Sequence, residues 1–150
     1  MSVTCATPIL MVEDVSRSVT FYREVLGFAF VLGVPEGTKE TVIDWPPPAR
    51  LAFAIVQSGQ ARLMFQTRTS LAAEFPRLAG AKIGGSVIIY MDCDDLDALY
   101  ARLSENTPFI KAPHATFYGT RECSIEDING YVLTFAASAV ANTPTSETTA

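Results

Sequence analysis

The sequence is written twice over. Val12-Glu13-Asp14-Val15 precedes one amphipathic stretch, and Cys93-Asp94-Asp95-Leu96 precedes another; Arg62-Leu63-Met64-Phe65 and Val132-Leu133-Thr134-Phe135 then stand near the ends of the two copies. One copy alone would leave an open apolar sheet edge and face. Two copies, paired within or between chains, can cover them. The repeat therefore points to an α+β architecture of two like modules.

Within the first copy, Pro8 to Val12 is a short apolar run read as a buried strand. Asp14 can cap a helix over Val15 to Leu26, where Val15, Val19, Tyr22 and Leu26 form one apolar stripe and Gly27 supplies the stop. Phe28 to Val34, Glu40 to Ile43, Leu51 to Gln57 and Ala61 to Gln66 read as strands, the last two joined as a hairpin. Between them, Asp44-Trp45-Pro46-Pro47-Pro48 cannot extend a central strand, because proline removes ladder donors.

A connection over 68–84, with a short helix at Leu71 to Leu78, leads to the second copy. Ser86 to Met91 is its first strand, and Asp94 or Asp95 caps a helix with the stripe Leu96, Leu99, Leu103. Phe109 to Ala112, Arg121 to Ile125 and Tyr131 to Ala136 supply later strands, with Asn129-Gly130 as a turn. Each copy thus runs strand, helix, then three or so strands. The modules are placed at about 5–67 and 85–137 in one domain spanning 1–137, and 138–150 is expected to be a flexible tail.

Composition excludes several functions. At 150 residues, 49% hydrophobic and 18% charged, the chain can build one core and is not globally disordered. The net charge is −5, with no Lys/Arg stripe, so nucleic-acid binding lacks its electrostatic driving force. No window is long and apolar enough to span a bilayer, and the first ten residues have neither a basic segment nor a long apolar one. A cytoplasmic protein with free thiols at Cys5, Cys93 and Cys123 is expected.

Two stretches carry a family likeness. Ile9-Leu10-Met11-Val12-Glu13-Asp14 followed by Phe21-Tyr22-Arg23-Glu24-Val25-Leu26-Gly27-Phe28, and Tyr118-Gly119-Thr120-Arg121-Glu122 followed by Asp127-Ile128-Asn129-Gly130-Tyr131-Val132-Leu133-Thr134-Phe135, resemble the glyoxalase/bleomycin-resistance/dioxygenase (vicinal oxygen chelate) superfamily. The resemblance implies paired βαβββ modules whose mixed sheets curl around a cavity, commonly in a homodimer. It also implies metal ligands at fixed places, which here fall on Thr7, near Met64, within Ser86 to Ile88, and on Thr134. Histidine or acidic residues would be expected there. Hydroxyls and a thioether do not repay a divalent ion for its lost hydration shell. The single histidine, His114, cannot supply a pair from one chain. No catalytic metal and no other cofactor is expected, which places the chain nearest to the metal-free, bleomycin-resistance-like members.

If Thr7 faces a cavity, strand alternation sends Ile9 and Met11 the same way, Met64 carries Arg62 and Gln66 with it, and Thr134 carries Val132 and Ala136. Such a wall mixes apolar area with a few hydrogen-bonding groups, as a medium-sized organic ligand requires. Trp45 on its proline-stiffened loop, Phe53, Phe109, Phe117 and Tyr118 are candidate stacking surfaces, while Glu122 and its neighbour Arg121 must point to opposite sides of one strand. The candidate ligand-binding set is therefore Thr7, Trp45, Phe53, Arg62, Met64, Gln66, Phe109, Tyr118, Glu122 and Thr134. Each also has a plain role in packing, and Cys123 reads as buried packing rather than as a nucleophile. Metal-independent binding of a small aromatic or cationic molecule is the expected function; a lyase or isomerase of the same superfamily with a rearranged site is the alternative.

Overall fold

The computed structural model describes residues 1–139. The expected tail lies outside the described residues from 140 onward; residue 138 is the last of a strand. The fold is α+β, with two four-stranded mixed sheets, neither closed into a barrel, and three α-helices. Two compact units are present, 1–88 together with 126–132, and 89–125 together with the residues from 133.

In the first unit the elements are β1 (Ile9–Val12), α1 (Val15–Glu24), β2 (Ala29–Pro35), β3 (Leu51–Ser58), β4 (Ala61–Thr67) and α2 (Arg68–Glu74). The sheet order is β1-β4-β3-β2, with β1 parallel to β4 and the other pairs antiparallel. Asp14 caps α1 through its carboxylate, which accepts the Arg17 N–H at 3.0 Å. The apolar stripe Val15, Val19 and Tyr22 is buried against β3 and β4. Strand alternation decides the rest: Leu63 and Phe65 of β4, beside Val56 and Ala54 of β3, are buried. Gln66 and Met64, beside Phe53 and Ile55, take the opposite face. The Tyr22 ring lies 4.9 Å from Phe65 and 5.5 Å from Phe28.

Residues 126–132 complete this unit. The Asp127 carboxylate, buried, accepts the Tyr22 hydroxyl at 2.8 Å on Oδ2 and the Asn129 and Tyr131 N–H groups at 2.8 and 2.9 Å on Oδ1. The Tyr131 hydroxyl donates to the Met11 carbonyl at 2.8 Å. Gly84, at φ +82°, passes so close that an added Cβ would lie 2.6 Å from the Asn129 carbonyl oxygen.

The second unit holds, but for the terminal residues Ile88, Glu126 and Val132, the elements β5 (Ile88–Asp92), α3 (Leu96–Ser104), β6 (Phe109–Ala115), β7 (Thr120–Glu126) and β8 (Val132–Ser138), ordered β5-β8-β7-β6. Asp95, not Asp94, caps α3 by accepting the Ala98 N–H at 2.9 Å. Leu96, Leu103, Cys123, Leu133 and Phe135 form its core. On the other face of β7 and β8, the Ser124 and Thr134 hydroxyls share a hydrogen bond of 2.8 Å.

Three local expectations are corrected. Residues 40–43 do not form a strand: Val42 alone exchanges backbone hydrogen bonds with Gly33, both at 2.8 Å, before the proline run ends any ladder. The connecting helix starts earlier than Leu71, because Thr67 Oγ1 caps it by accepting the Ser70 N–H, and it ends at Glu74 ahead of Pro76. The first helix ends at Glu24 rather than Leu26, with Gly27 at φ +74° closing the turn.

Candidate functional site

The open face of the first sheet, α2 and the loop after β2 enclose a trough of about 790 Å³, a volume in the range of pockets for drug-sized molecules. Ile9, Phe53 and Met64 give it an apolar floor, and Ile9 is directly opposite Met64 in the parallel pair. Gln66 stands at its base. The Gln66 amide N–H₂ donates to Ser70 Oγ at 2.8 Å and to Glu74 Oε2 at 3.4 Å, both one and two turns along α2. These bonds orient the amide so that its donors face the helix. Its carbonyl accepts no hydrogen bond from a described residue and, since no buried polar side-chain atom among them lacks a partner, it is open to the trough.

Of the residues lining the trough, the charged ones are Glu36 and Glu74. Glu36 is answered by Arg50 at 3.0 Å. No ion pair among the described residues reaches Glu74. The trough is therefore apolar below and negative at one wall, a surface suited to a cation on an organic body.

A second cluster lies in the second unit. Glu122 and Arg121 do point oppositely: Arg121 pairs with Asp97 at 2.9 Å, while Glu122 Oε2 accepts the hydroxyls of Tyr90 (2.7 Å), Tyr118 (2.7 Å) and Thr120 (2.8 Å). The Tyr118 hydrogen bond, helped by those of Tyr90 and Thr120, holds the Glu122 carboxyl below the usual carboxylate range against the opposing effect of burial. The same bonds raise both phenols, Tyr90 up to about 12. Burial pushes the Cys123 thiol up to about 11, and burial with the neighbouring Asp94, Asp92 and Asp95 raises Cys93. Neither thiol is activated as a nucleophile.

The sequence candidates divide accordingly. Phe53, Met64 and Gln66 meet in the trough, and Tyr118 and Glu122 meet in the second cluster. Thr7 lies just before β1, outside the trough lining. Arg62 is held on the exposed hairpin by the Gln57 side-chain oxygen at 2.7 and 3.1 Å. Trp45 packs 5.1 Å from the Phe30 ring, with the Arg23 guanidinium 5.1 Å from its own centroid. Phe109 packs against Tyr100, and Phe117 is fully exposed. Thr134 is buried, and its hydroxyl is shared with Ser124. Missed from sequence were Ser70 and Glu74, which the i, i+4 spacing along a helix beginning at Arg68 brings to one side, and Tyr90, two residues after Ile88 on β5.

The donor set does not fit the divalent metal of the superfamily likeness. Thr7, Met64, Ser86 to Ile88 and Thr134 offer no imidazole or carboxylate, and among the described residues no group of three or more His, Cys, Asp or Glu side chains is placed to hold a metal ion. Among these residues, too, no helix is long and apolar enough to cross a membrane.

Two open four-stranded sheets with an internal repeat and a pocket on a sheet face define a vicinal-oxygen-chelate class of fold. Residues 4–135 match the Glyoxalase/Bleomycin resistance protein/Dioxygenase superfamily, and the chain belongs to it. Solved structures share the fold at low identity. A glyoxalase/bleomycin resistance protein/dioxygenase from Nocardioides is 18% identical with a TM-score of 0.68, covering 96% of this chain and 89% of that one. A superfamily member from Sphaerobacter thermophilus is 21% identical with a TM-score of 0.65, covering 91% and 98%. The bleomycin-binding protein of Streptomyces verticillus, complexed with copper(II)-bleomycin, is 21% identical with a TM-score of 0.59, covering 92% and 98%. A search of the curated proteins found no match.

Proposed function

We propose that this chain is a metal-independent binding protein that sequesters a small organic cation with an aromatic or apolar body. The observation that carries the reading is the trough: an apolar floor of Ile9, Phe53 and Met64 faces a wall bearing the Glu74 carboxylate, with no basic residue in the lining. A ligand seated there gains apolar burial at roughly 25 cal/mol per Å² and meets a charge of the opposite sign. The bleomycin-binding neighbour makes copper(II)-bleomycin a natural first probe. Turnover finds less support, because Glu122 is held ionised, Tyr90 and Tyr118 are held protonated, and the Cys93 and Cys123 thiols are raised. A cytoplasmic location and a homodimer belong to the same proposal, the homodimer supported by exposed apolar side chains such as Ile88 and Ile110; sedimentation equilibrium decides the oligomeric state.

Equilibrium dialysis with copper(II)-bleomycin and with the cationic dye proflavine tests the reading. Reversible binding of one molecule per chain, unchanged by prior chelator treatment, with the dye recovered intact by mass spectrometry, is expected. A chemically altered product, or proflavine binding abolished by the chelator, would refute it.

A further inference from the structure

The second unit contains a polar nest independent of the trough. Glu122 is 6% exposed, and one of its oxygens, Oε2, takes all three hydroxyl hydrogens described above, from Tyr90, Tyr118 and Thr120. Behind Thr120 stands Thr116, their hydroxyl oxygens 2.8 Å apart. Thr116 Oγ1 also lies 3.2 Å from the Thr120 carbonyl oxygen, so its one hydrogen has two acceptors on Thr120, the hydroxyl and the carbonyl. The hydroxyl hydrogens of Tyr90, Tyr118 and Thr120 thus all end on one carboxylate oxygen.

No hydrogen bond from a described residue ends on Glu122 Oε1, and no buried polar side-chain atom among these residues lacks a partner, so Oε1 keeps some contact with solvent. The two tyrosine oxygens keep acceptor capacity beside it. The charge is also unanswered at contact distance. Arg121 is turned to Asp97 across the strand, and the exposed His114, opposite Glu122 on β6, forms no ion pair with it. Tyr90 and Tyr118, whose hydroxyls reach the carboxylate, are 50% and 55% exposed.

We propose that this nest binds an organic ammonium group, in the form of a primary arylalkyl amine. A partner must bring what the nest lacks, N–H donors and positive charge. An ammonium has three donors and no acceptor, so it can bond Oε1 and the phenolic lone pairs together. The half-exposed rings of Tyr90 and Tyr118 offer apolar surface to its stem. Carboxylates, phosphates and acceptor-only carbonyl ligands meet lone pairs and a negative charge, and are rejected. The trough is a separate site, and the failure of either assignment leaves the other standing.

Amide chemical-shift titration of the full chain with phenethylammonium, phenethyl alcohol and phenylacetate tests the assignment. Phenethylammonium should give saturable shifts centred on residues 118–124, with the alcohol at least tenfold weaker and phenylacetate without effect. Glu122→Gln should weaken the amine at least tenfold. Tyr118→Ala, a change at a half-exposed position, should weaken it at least threefold and serves if the Glu122 variant does not fold. Equal binding of the alcohol or of phenylacetate would overturn the proposal, as would undiminished amine binding by a folded Glu122→Gln or by Tyr118→Ala. Amine-induced shifts confined to residues 66–74 would also overturn it while leaving the trough reading intact.

Discussion

Tyr22→Phe removes one oxygen and nothing else. The ring keeps its contacts with Phe28 and Phe65, so no cavity opens. What is lost is the 2.8 Å donation from the Tyr22 hydroxyl to Asp127 Oδ2, in a pair where Asp127 is 5% exposed and Tyr22 fully buried. Hydrogen bonds to a charged group contribute about 1.5–3 kcal/mol, and a buried oxygen left without its donor bears the full desolvation penalty. Asp127 Oδ1 still accepts the Asn129 and Tyr131 amides, which keeps the carboxylate partly solvated by the chain and sets the expected loss at about 2 kcal/mol. For a chain of this size that corresponds to a fall in Tm of about 4–8 °C. Tyr131→Phe is the internal standard, since its hydroxyl donates to the neutral Met11 carbonyl and its loss should cost only about 1 kcal/mol. Urea titration followed by circular dichroism should show Cm falling at constant m in the order wild type, Tyr131→Phe, Tyr22→Phe. A Tyr22→Phe variant within about 0.5 kcal/mol of wild type, or one less affected than Tyr131→Phe, would refute the view that this carboxylate anchors the turn.

Other positions give distinct readouts. Gly84→Ala forces a Cβ against the backbone of Asn129 and Gly130 at a positive φ and should destabilise by at least about 2 kcal/mol in the same titration. Glu122 has a lowered pKa in the folded chain, so it contributes stability above the ordinary carboxylate range and loses it as the pH falls through the folded value; Glu122→Gln should flatten the acid limb of a plot of Cm against pH. Thiol labelling near neutral pH should modify exposed Cys5 readily and leave Cys123, buried and raised to about 11, untouched until denaturant is added; rapid labelling of Cys123 in the folded chain would contradict its place in the core.

Local chemistry made much of this fold readable. Asp14 and Gly27 bracket α1 because a carboxylate satisfies free N–H groups at one end and glycine accepts a positive φ at the other. The alternation of β4 separates Leu63 and Phe65 from Met64 and Gln66, and that period is written in the sequence. Other features depend on distant partners. The proline run made a loop legible, yet whether Glu40 to Ile43 paired depended on where β2 lay, and only Val42 does so. Asp127 stands just before the Asn129-Gly130 turn, and its bond to Tyr22, 105 positions away, has no local signal. The same limit applies to the sites. Met64, Gln66 and Glu122 follow from strand faces, and Phe53 and Tyr118 from their aromatic character, whereas Glu74 enters the trough only because α2, capped by Thr67, folds back over β4. Trp45 drew notice as the sole tryptophan, but its ring is occupied by Phe30 and Arg23.

The charge of the trough is the central claim, and the proflavine dissociation constant of wild type against Glu74→Gln, with neutral acridone as the control ligand, tests it most directly. Glu74 is solvent-exposed, so its removal should weaken proflavine by roughly two- to fivefold and leave acridone unchanged. Equal affinity of both proteins for proflavine, or the same loss for acridone, would contradict it.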